Sequence, residues 1–127
     1  MQKKTALVVD DEDIQREILS LLMEQIGFTV LEADNGKTAM EILQNASHID
    51  LVLTDLVMPG QEGLETILQI IKSGKKPAII AMSGVLFSEC YLAMASYFGA
   101  DQYLSKPIHK EELLNAVRKL GFEIDTK

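Results

Sequence analysis

The chain has 127 residues, of which 47% are hydrophobic and 24% charged, a composition typical of one ordinary globular domain. Its net charge of −7 and pI of about 4.7 disfavour contact with phosphate backbones and argue against nucleic-acid binding by this chain alone. The single cysteine, Cys90, excludes an internal disulfide, and the lack of a signal-peptide pattern or of an apolar window near the ~20 residues of a membrane span predicts a cytoplasmic protein without membrane association.

The first predicted strand, Thr5–Val9, is an apolar run of the kind that is buried on both faces of a sheet. A helix with one apolar stripe follows it, and Gly27 predicts the end of that helix. The stripe contains Ile14, Ile18, Leu21, Leu22 and Ile26. The second strand, Phe28–Glu32, leads to a helix that Asn35 is expected to cap.

The second half of the chain repeats this alternation. The third strand, Leu51–Thr54, runs into Asp55, and the next helix, with an apolar stripe from Leu64 to Ile71, ends at Gly74. The fourth strand, Pro77–Met82, precedes a predicted helix over residues 88–98. The fifth strand, Gln102–Leu104, precedes a helix that ends at Gly121, and we expect Phe122–Lys127 to be a frayed end.

Five strand–helix units with short connections predict an α/β fold, in which a doubly wound five-stranded parallel sheet carries five helices on its two faces. We find no linker, repeat or second domain, so residues 1–127 are expected to form one domain. In open parallel sheets, ligands bind beyond the carboxyl ends of the strands. The residues that follow each strand are therefore the candidates for chemistry.

Acidic side chains collect at that edge of the predicted sheet. Asp10 and Asp11 follow the first strand and Asp55 follows the third, so we expect the three to converge. Two carboxylates ~4 Å apart repel by roughly 4 kcal/mol at an effective dielectric of ~20, so one must take a proton or a cation must join them. Carboxylate oxygens in a site that leaves room for water suit Mg²⁺.

Two further side chains complete the candidate site. Lys106 follows the fifth strand, and its ammonium suits a carboxylate or a phosphate oxygen. Ser83 follows the fourth strand and offers a hydroxyl. A carboxylate nucleophile, a metal and two donors are sufficient for phosphoryl transfer, because positioning and charge neutralisation supply most of its catalysis. Taken singly, each residue has a simpler explanation, such as a helix N-terminus for Asp10 and Asp11 or a surface lysine for Lys106.

With these residues at the ends of its strands, the chain resembles the receiver domain of two-component response regulators. The matching stretches are LVVDDE (Leu7–Glu12), LTDLVMPGQEG (Leu53–Gly63), AMSG (Ala81–Gly84) and GADQYLSKPI (Gly99–Ile108). Each is weak alone, but the four in this order are specific. The resemblance implies a flavodoxin-like fold with strand order 2-1-3-4-5 and a phosphoprotein whose phosphoryl group comes from a sensor histidine kinase or a phosphotransfer protein.

The resemblance also implies a role for each candidate. Asp55 is the phosphoacceptor, and Mg²⁺ is bound by Asp11, Asp55 and the backbone carbonyl of Val57, with Asp10 acting largely through water. Lys106, followed by a cis bond to Pro107, pairs with the acceptor and then with the phosphoryl group. Ser83 and Tyr103 form the switch, which alters the surface of the fourth helix, fifth strand and fifth helix and thereby an output domain or downstream protein. The chain is then not an enzyme beyond its own phosphorylation and dephosphorylation.

Some features depart from the family pattern. A serine, Ser83, stands where the family more often has threonine, and the spacing from Ser83 to Lys106 is one residue longer than usual. The segment LFSECYLAMASYF is unusually apolar, which is explained either by packing on the sheet or by a partner or homodimer surface. Two other functions remain open: a phosphorylation-independent interaction module, and a metal-dependent phosphohydrolase with an aspartyl intermediate. No general acid or cap for the latter is evident.

Overall fold

The computed structural model of the protein describes residues 3–46, 48–56, 63–75, 77–84, 93 and 99–124. The elements are β1 (Thr5–Val9), α1 (Asp13–Gln25), β2 (Thr29–Ala33), α2 (Gly36–Asn45), β3 (Leu51–Asp55), α3 (Gly63–Lys72), β4 (Ala78–Ser83), β5 (Gln102–Ser105) and α4 (Lys110–Lys119). The strands form one parallel sheet in the order β2-β1-β3-β4-β5. This confirms the predicted α/β, flavodoxin-like fold. None of the described helices has the length and apolar character that crossing a bilayer requires.

The sheet separates two hydrophobic clusters because alternate residues of each strand point to opposite faces. One cluster is formed with α1 and α4 and is called the α1–α4 cluster; it contains Leu51 and Leu53 of β3. The other is formed with α2 and α3 and is called the α2–α3 cluster; it contains Val52. All five residues of β3 are buried. The uninterrupted apolar runs of the sequence therefore reflect strands that are covered by helices on both sides.

Four of the strands continue one residue further than predicted. Strand β2 ends at Ala33 rather than at Glu32. The end of β3 is Asp55, that of β4 is Ser83 and that of β5 is Ser105. The parallel register explains the difference, since Asp55 pairs with Met82, and Ser83 pairs with Ser105. Polar residues thus occupy regular strand positions at the carboxyl edge, although hydrophobicity alone ends each strand before them.

Helix ends follow the local sequence signals closely. The Asn35 side chain caps α2 by accepting from the Thr38 N–H at 2.8 Å, as predicted. Helix α1 ends at Gln25, and Gly27 follows with φ of 108°, a conformation that glycine adopts without strain. The four described helices match four of the five predicted. The remaining predicted helix, 88–98, lies outside the described residues apart from Ala93, as do Cys90 and most of the apolar segment around it.

The predicted apolar stripe of α1 is partly wrong. Ile14, Ile18 and Leu21 are 75%, 48% and 60% exposed, whereas Leu19 and Met23 are fully buried. Both sets recur with the same helical spacing, one residue apart, so the pattern alone did not distinguish them. Helix α1 therefore buries one apolar face in the α1–α4 cluster and presents a second one to solvent.

The chain beyond α4 is packed rather than frayed, which corrects the prediction for its first three residues. The Phe122 ring meets the Phe28 ring edge-on, with centroids 5.4 Å apart. Phe122 and Ile124 are half-buried against the α1–α4 cluster. Aromatic and aliphatic side chains at these positions thus extend the core past the last helix.

The two faces of α1 can be tested with neighbouring substitutions. We expect Leu19→Ala to lower the free energy of unfolding by about 2–5 kcal/mol, because it leaves a cavity in the core. Ile18→Ala, one residue away and half exposed, is expected to change it by less than about 1 kcal/mol. Urea unfolding of both variants measures this. An equal loss in both would show that the solvent-facing stripe is part of the core.

Candidate functional site

The candidate site lies at the carboxyl edge of the sheet, where four adjacent strands end together. Asp10 directly follows β1 and donates its N–H to the Ala33 carbonyl at 3.1 Å. Asp55 is the last residue of β3, and Lys106 directly follows β5. Because side chains alternate along a strand, Asp10, Asp55 and Lys106 share the face of Val8, Leu53 and Leu104, which belong to the α1–α4 cluster.

Lys106 joins the two buried carboxylates of the site. Its Nζ donates to Asp10 Oδ2 and to Asp55 Oδ2, each at 2.9 Å. The residues Asp10 and Asp55 are 0% and 5% exposed. Burial disfavours the charged ammonium, but hydrogen bonds and attraction from Asp55 and Asp10 outweigh it, so the pKa of Lys106 is raised above its ordinary value. The bond from Lys106 to Pro107 is cis, as the sequence resemblance implied.

Three carboxylates meet at this point. One oxygen each of Asp10, Asp11 and Asp55 lies within 4.8 Å of the others. Asp10 and Asp55 are buried, whereas Asp11 is exposed and faces solvent. Hard oxygen ligands, partly buried and open on one side, fit Mg²⁺, which keeps several of its waters when bound. Among the residues described, this is the one group of acidic side chains close enough to hold a metal ion.

Asp10 is held more fully than its neighbour Asp11. One of its oxygens accepts from the Glu12 N–H at 3.0 Å, and the other accepts from Lys106 at 2.9 Å. Both oxygens are therefore engaged by groups of the chain itself, which leaves the exposed Asp11 as the more accessible ligand. Val57, whose carbonyl the resemblance implies as a further ligand, lies outside the described residues.

Ser83 and Tyr103 lie near the same edge. Ser83 is fully buried, and its hydroxyl donates over a long 3.4 Å to the Gly84 carbonyl. Its own carbonyl accepts from the Lys106 N–H at 2.7 Å, which joins the end of β4 to the residue that directly follows β5. Tyr103 precedes Ser105, the register partner of Ser83, by two residues and is 55% exposed. The structure thus puts a weakly engaged hydroxyl and an exposed aromatic ring on one face of the sheet.

Sequence reasoning missed Arg16, which supports the loop that carries Asp10 and Asp11. The guanidinium donates to the Asp10 carbonyl at 2.9 Å, to Asp13 at 2.7 Å and to Glu32 at 3.1 Å. The spacing of Asp13 and Arg16 on one helix face is a signal that the sequence contains. The contact with Glu32 on β2 spans 16 residues and has no such local signal.

The remaining acids singled out in the sequence lie at the opposite edge. Asp50 accepts from the Thr5 N–H, and Asp101 accepts from the Ile79 N–H, each at 2.8 Å. Both therefore satisfy backbone groups where strands begin, in agreement with the prediction that they are structural. The exposed His48 pairs with Asp50 and has no contact with the candidate site among the residues described.

Comparison with known proteins gives a consistent result. A family model described as "Response regulator receiver domain" matches residues 6–118. The chain is 33% identical over 114 residues to the transcriptional regulatory protein CpxR of Escherichia coli K12, with 90% of this chain and 47% of that protein covered. It is 32% identical over 110 residues to a cyclic di-GMP phosphodiesterase of Thermotoga maritima, with 86% of this chain and 28% of that protein covered. The chain thus spans less than half the length of each of these relatives.

Solved structures show the same fold. A response regulator receiver protein from Pseudomonas putida superposes with a TM-score of 0.85 and 32% identity, with 94% of this chain and 98% of that one covered. The receiver domain of the TMAO respiratory system response regulator TorR gives a TM-score of 0.82 and 29% identity, with 96% and 99% covered. The similarity therefore extends over nearly the whole of both chains in each pair.

The Lys106 bridge predicts a dependence of stability on alkaline pH. A raised pKa means that the bridge stabilises the fold below the ordinary lysine value of 10.5 and loses this effect as the pH rises through the higher folded value. We expect the stability difference between the unchanged chain and Lys106→Met to be constant up to about pH 10 and to fall above it. Urea unfolding across this range measures it. Lys110→Met, which changes an exposed lysine, is the control; a constant difference throughout would contradict the bridge.

Proposed function

Because the chain belongs to the response regulator receiver domain family, we propose that Asp55 accepts a phosphoryl group from a phosphohistidine of a sensor histidine kinase or phosphotransfer protein. The observation that carries this proposal is the Lys106 ammonium 2.9 Å from the carboxylates of both Asp55 and Asp10. The assignment of residues 1–127 to one receiver domain in the cytoplasm belongs to the same proposal. The family match over residues 6–118 supports it.

The proposed reaction uses Asp55 as the nucleophile. A carboxylate oxygen of Asp55 forms a bond to phosphorus while the P–N bond of the phosphohistidine breaks, and the electron pair of that bond stays on the imidazole nitrogen. Lys106, which contacts the Asp55 carboxylate, would neutralise part of the charge on the transferred group. Among the described residues, the buried Ser83 hydroxyl makes one hydrogen bond, at 3.4 Å, so it can turn to a phosphoryl oxygen at little cost.

Mg²⁺ is the proposed cofactor. Asp11, Asp55 and the Val57 carbonyl would hold it, with Asp10 acting largely through water because its oxygens are engaged by Glu12 and Lys106. When bound, Mg²⁺ offsets the mutual repulsion of the carboxylates and the negative charge of the incoming group. The exposure of Asp11 gives such an ion access from solvent.

Phosphorylation is proposed to act as a switch rather than as a step of enzyme turnover. The added group carries about two negative charges and new acceptor oxygens, to which Ser83 can move. Tyr103, on the same face and 55% exposed, can then turn inward. The surface around β5 and α4, with the predicted helix 88–98, would thereby change its affinity for an output domain or a downstream protein. Formation of a homodimer through this surface would be another result of that change in affinity.

The exposed stripe of α1 supports a protein as the phosphodonor. Helix α1 begins at Asp13, directly after the acidic loop, so its solvent-facing residues adjoin the site. Ile14, Ile18 and Leu21 form an apolar strip there that the core does not use. We propose that a helical surface of the kinase or phosphotransfer protein packs on this strip while its phosphohistidine reaches Asp55.

A small phosphodonor separates this function from its alternatives. We expect acetyl phosphate with Mg²⁺ to add one phosphoryl group to the chain and Asp55→Asn to abolish the addition, as measured by intact-protein mass spectrometry. Asp101→Asn is the matched control, because an amide oxygen can still accept from the Ile79 N–H at the opposite edge. No labelling would favour an interaction module, and repeated turnover of the donor would favour a phosphohydrolase.

A further inference from the structure

Arg16 connects three parts of the chain beside the acidic loop. Its guanidinium binds the Asp10 carbonyl, the Asp13 carboxylate on α1 and the Glu32 carboxylate on the edge strand β2. The Arg16 side chain is only 16% exposed, whereas those of Asp13 and Glu32 are 80% and 42% exposed. Ion pairs this exposed contribute little to stability. The arrangement therefore has more effect on the geometry of what Arg16 holds than on the stability of the fold.

The group that Arg16 holds is the peptide between two of the acids. The Asp10 carbonyl belongs to the Asp10–Asp11 peptide, whose atoms lie in one plane, so a contact that holds the oxygen restricts rotation of the whole peptide. The preceding N–H, that of Asp10, donates to the Ala33 carbonyl at 3.1 Å, and the Glu12 N–H donates to Asp10 Oδ1 at 3.0 Å. Together with these hydrogen bonds, the Arg16 contact at 2.9 Å sets the direction in which the Asp11 side chain projects from the backbone.

The positive charge of Arg16, considered apart from its hydrogen bonds, would weaken the binding of a nearby cation. Within the described part of the chain, its hydrogen bonds go to the Asp10 carbonyl, Asp13 and Glu32 rather than to the carboxylates of the metal-binding cluster. A nearby positive charge repels a divalent cation. Charge alone therefore predicts tighter Mg²⁺ binding when Arg16 is replaced by a neutral residue, whereas positioning predicts weaker binding.

We propose that Arg16 is a positioning residue, which orients the Asp10–Asp11 peptide so that Asp11 and Asp55 are arranged for a divalent cation before the cation arrives. This inference rests on the Mg²⁺ site of the proposed function. Outer partners of this kind orient metal ligands without touching the metal. Arg16 suits the task because its planar fork reaches three acceptors at once, which a lysine ammonium on a single flexible stem does less well.

The test compares the Mg²⁺ affinity of variants by isothermal titration calorimetry. We expect Arg16→Met to weaken Mg²⁺ binding about tenfold, as loss of outer-sphere partners typically does. Arg118→Met makes the same change on the exposed end of α4 and is expected to leave the affinity unchanged. In the absence of Mg²⁺, the Asp11 amide resonance should shift or broaden in Arg16→Met and not in Arg118→Met.

Each result decides the matter. Unchanged or tighter Mg²⁺ binding in Arg16→Met overturns the inference. If that variant does not fold, Arg16→Lys replaces it, since it keeps the charge but loses the fork, and unchanged affinity there overturns the inference equally. Absence of Mg²⁺ binding by the unchanged chain overturns this inference and the proposed metal site together. Mg²⁺ binding without acetyl phosphate labelling of Asp55 overturns the proposed phosphoacceptor role alone.

Discussion

The structure depends on the burial of two carboxylates, Asp10 and Asp55, beside one ammonium at the edge of a parallel sheet. An ionised carboxylate removed from water is costly unless charge and hydrogen bonds compensate it. Lys106 provides both to each acid at 2.9 Å. This bridge is possible only because β1, β3, β4 and β5 end at one level, which the parallel register sets. The hydrophobic clusters on the two faces hold that register, so the packing of the core and the geometry of the site are coupled.

The fold was largely predictable because strands covered on both faces leave uninterrupted apolar runs in the sequence. The convergence of Asp10, Asp11 and Asp55 followed from the topology, since all parallel strands end at one edge. The solvent-facing stripe of α1 was not predictable, because Ile18 and Leu19 belong to stripes of equal period. The Arg16–Glu32 contact was not predictable either, since nothing in local spacing links residues on α1 and β2 across 16 positions.

The members of the site differ in how firmly the chain holds them. Asp10 has both oxygens engaged and is fully buried, whereas Asp11 is exposed. Ser83 is fully buried and its hydroxyl makes one long hydrogen bond within the described part of the chain, and Tyr103 is half exposed. Asp10 is held by the chain before any ligand arrives, whereas Ser83 and Tyr103 are the side chains proposed to move after phosphorylation. This gradient is what a two-state signalling domain requires, because only elements with a low energetic cost of rearrangement can respond to one added group.

The edge-on contact of Phe122 with Phe28 bears on where a folded unit can be cut out of this chain for biochemical work. The region matched by the family ends at residue 118, yet Phe122 packs against Phe28 at the corner between α1 and β2, and Ile124 packs against the α1–α4 cluster. A fragment that ends at the edge of the matched region would leave the Phe28 ring uncovered and expose an apolar patch that promotes aggregation. Fragments intended for crystallisation or spectroscopy should therefore retain the chain through Ile124.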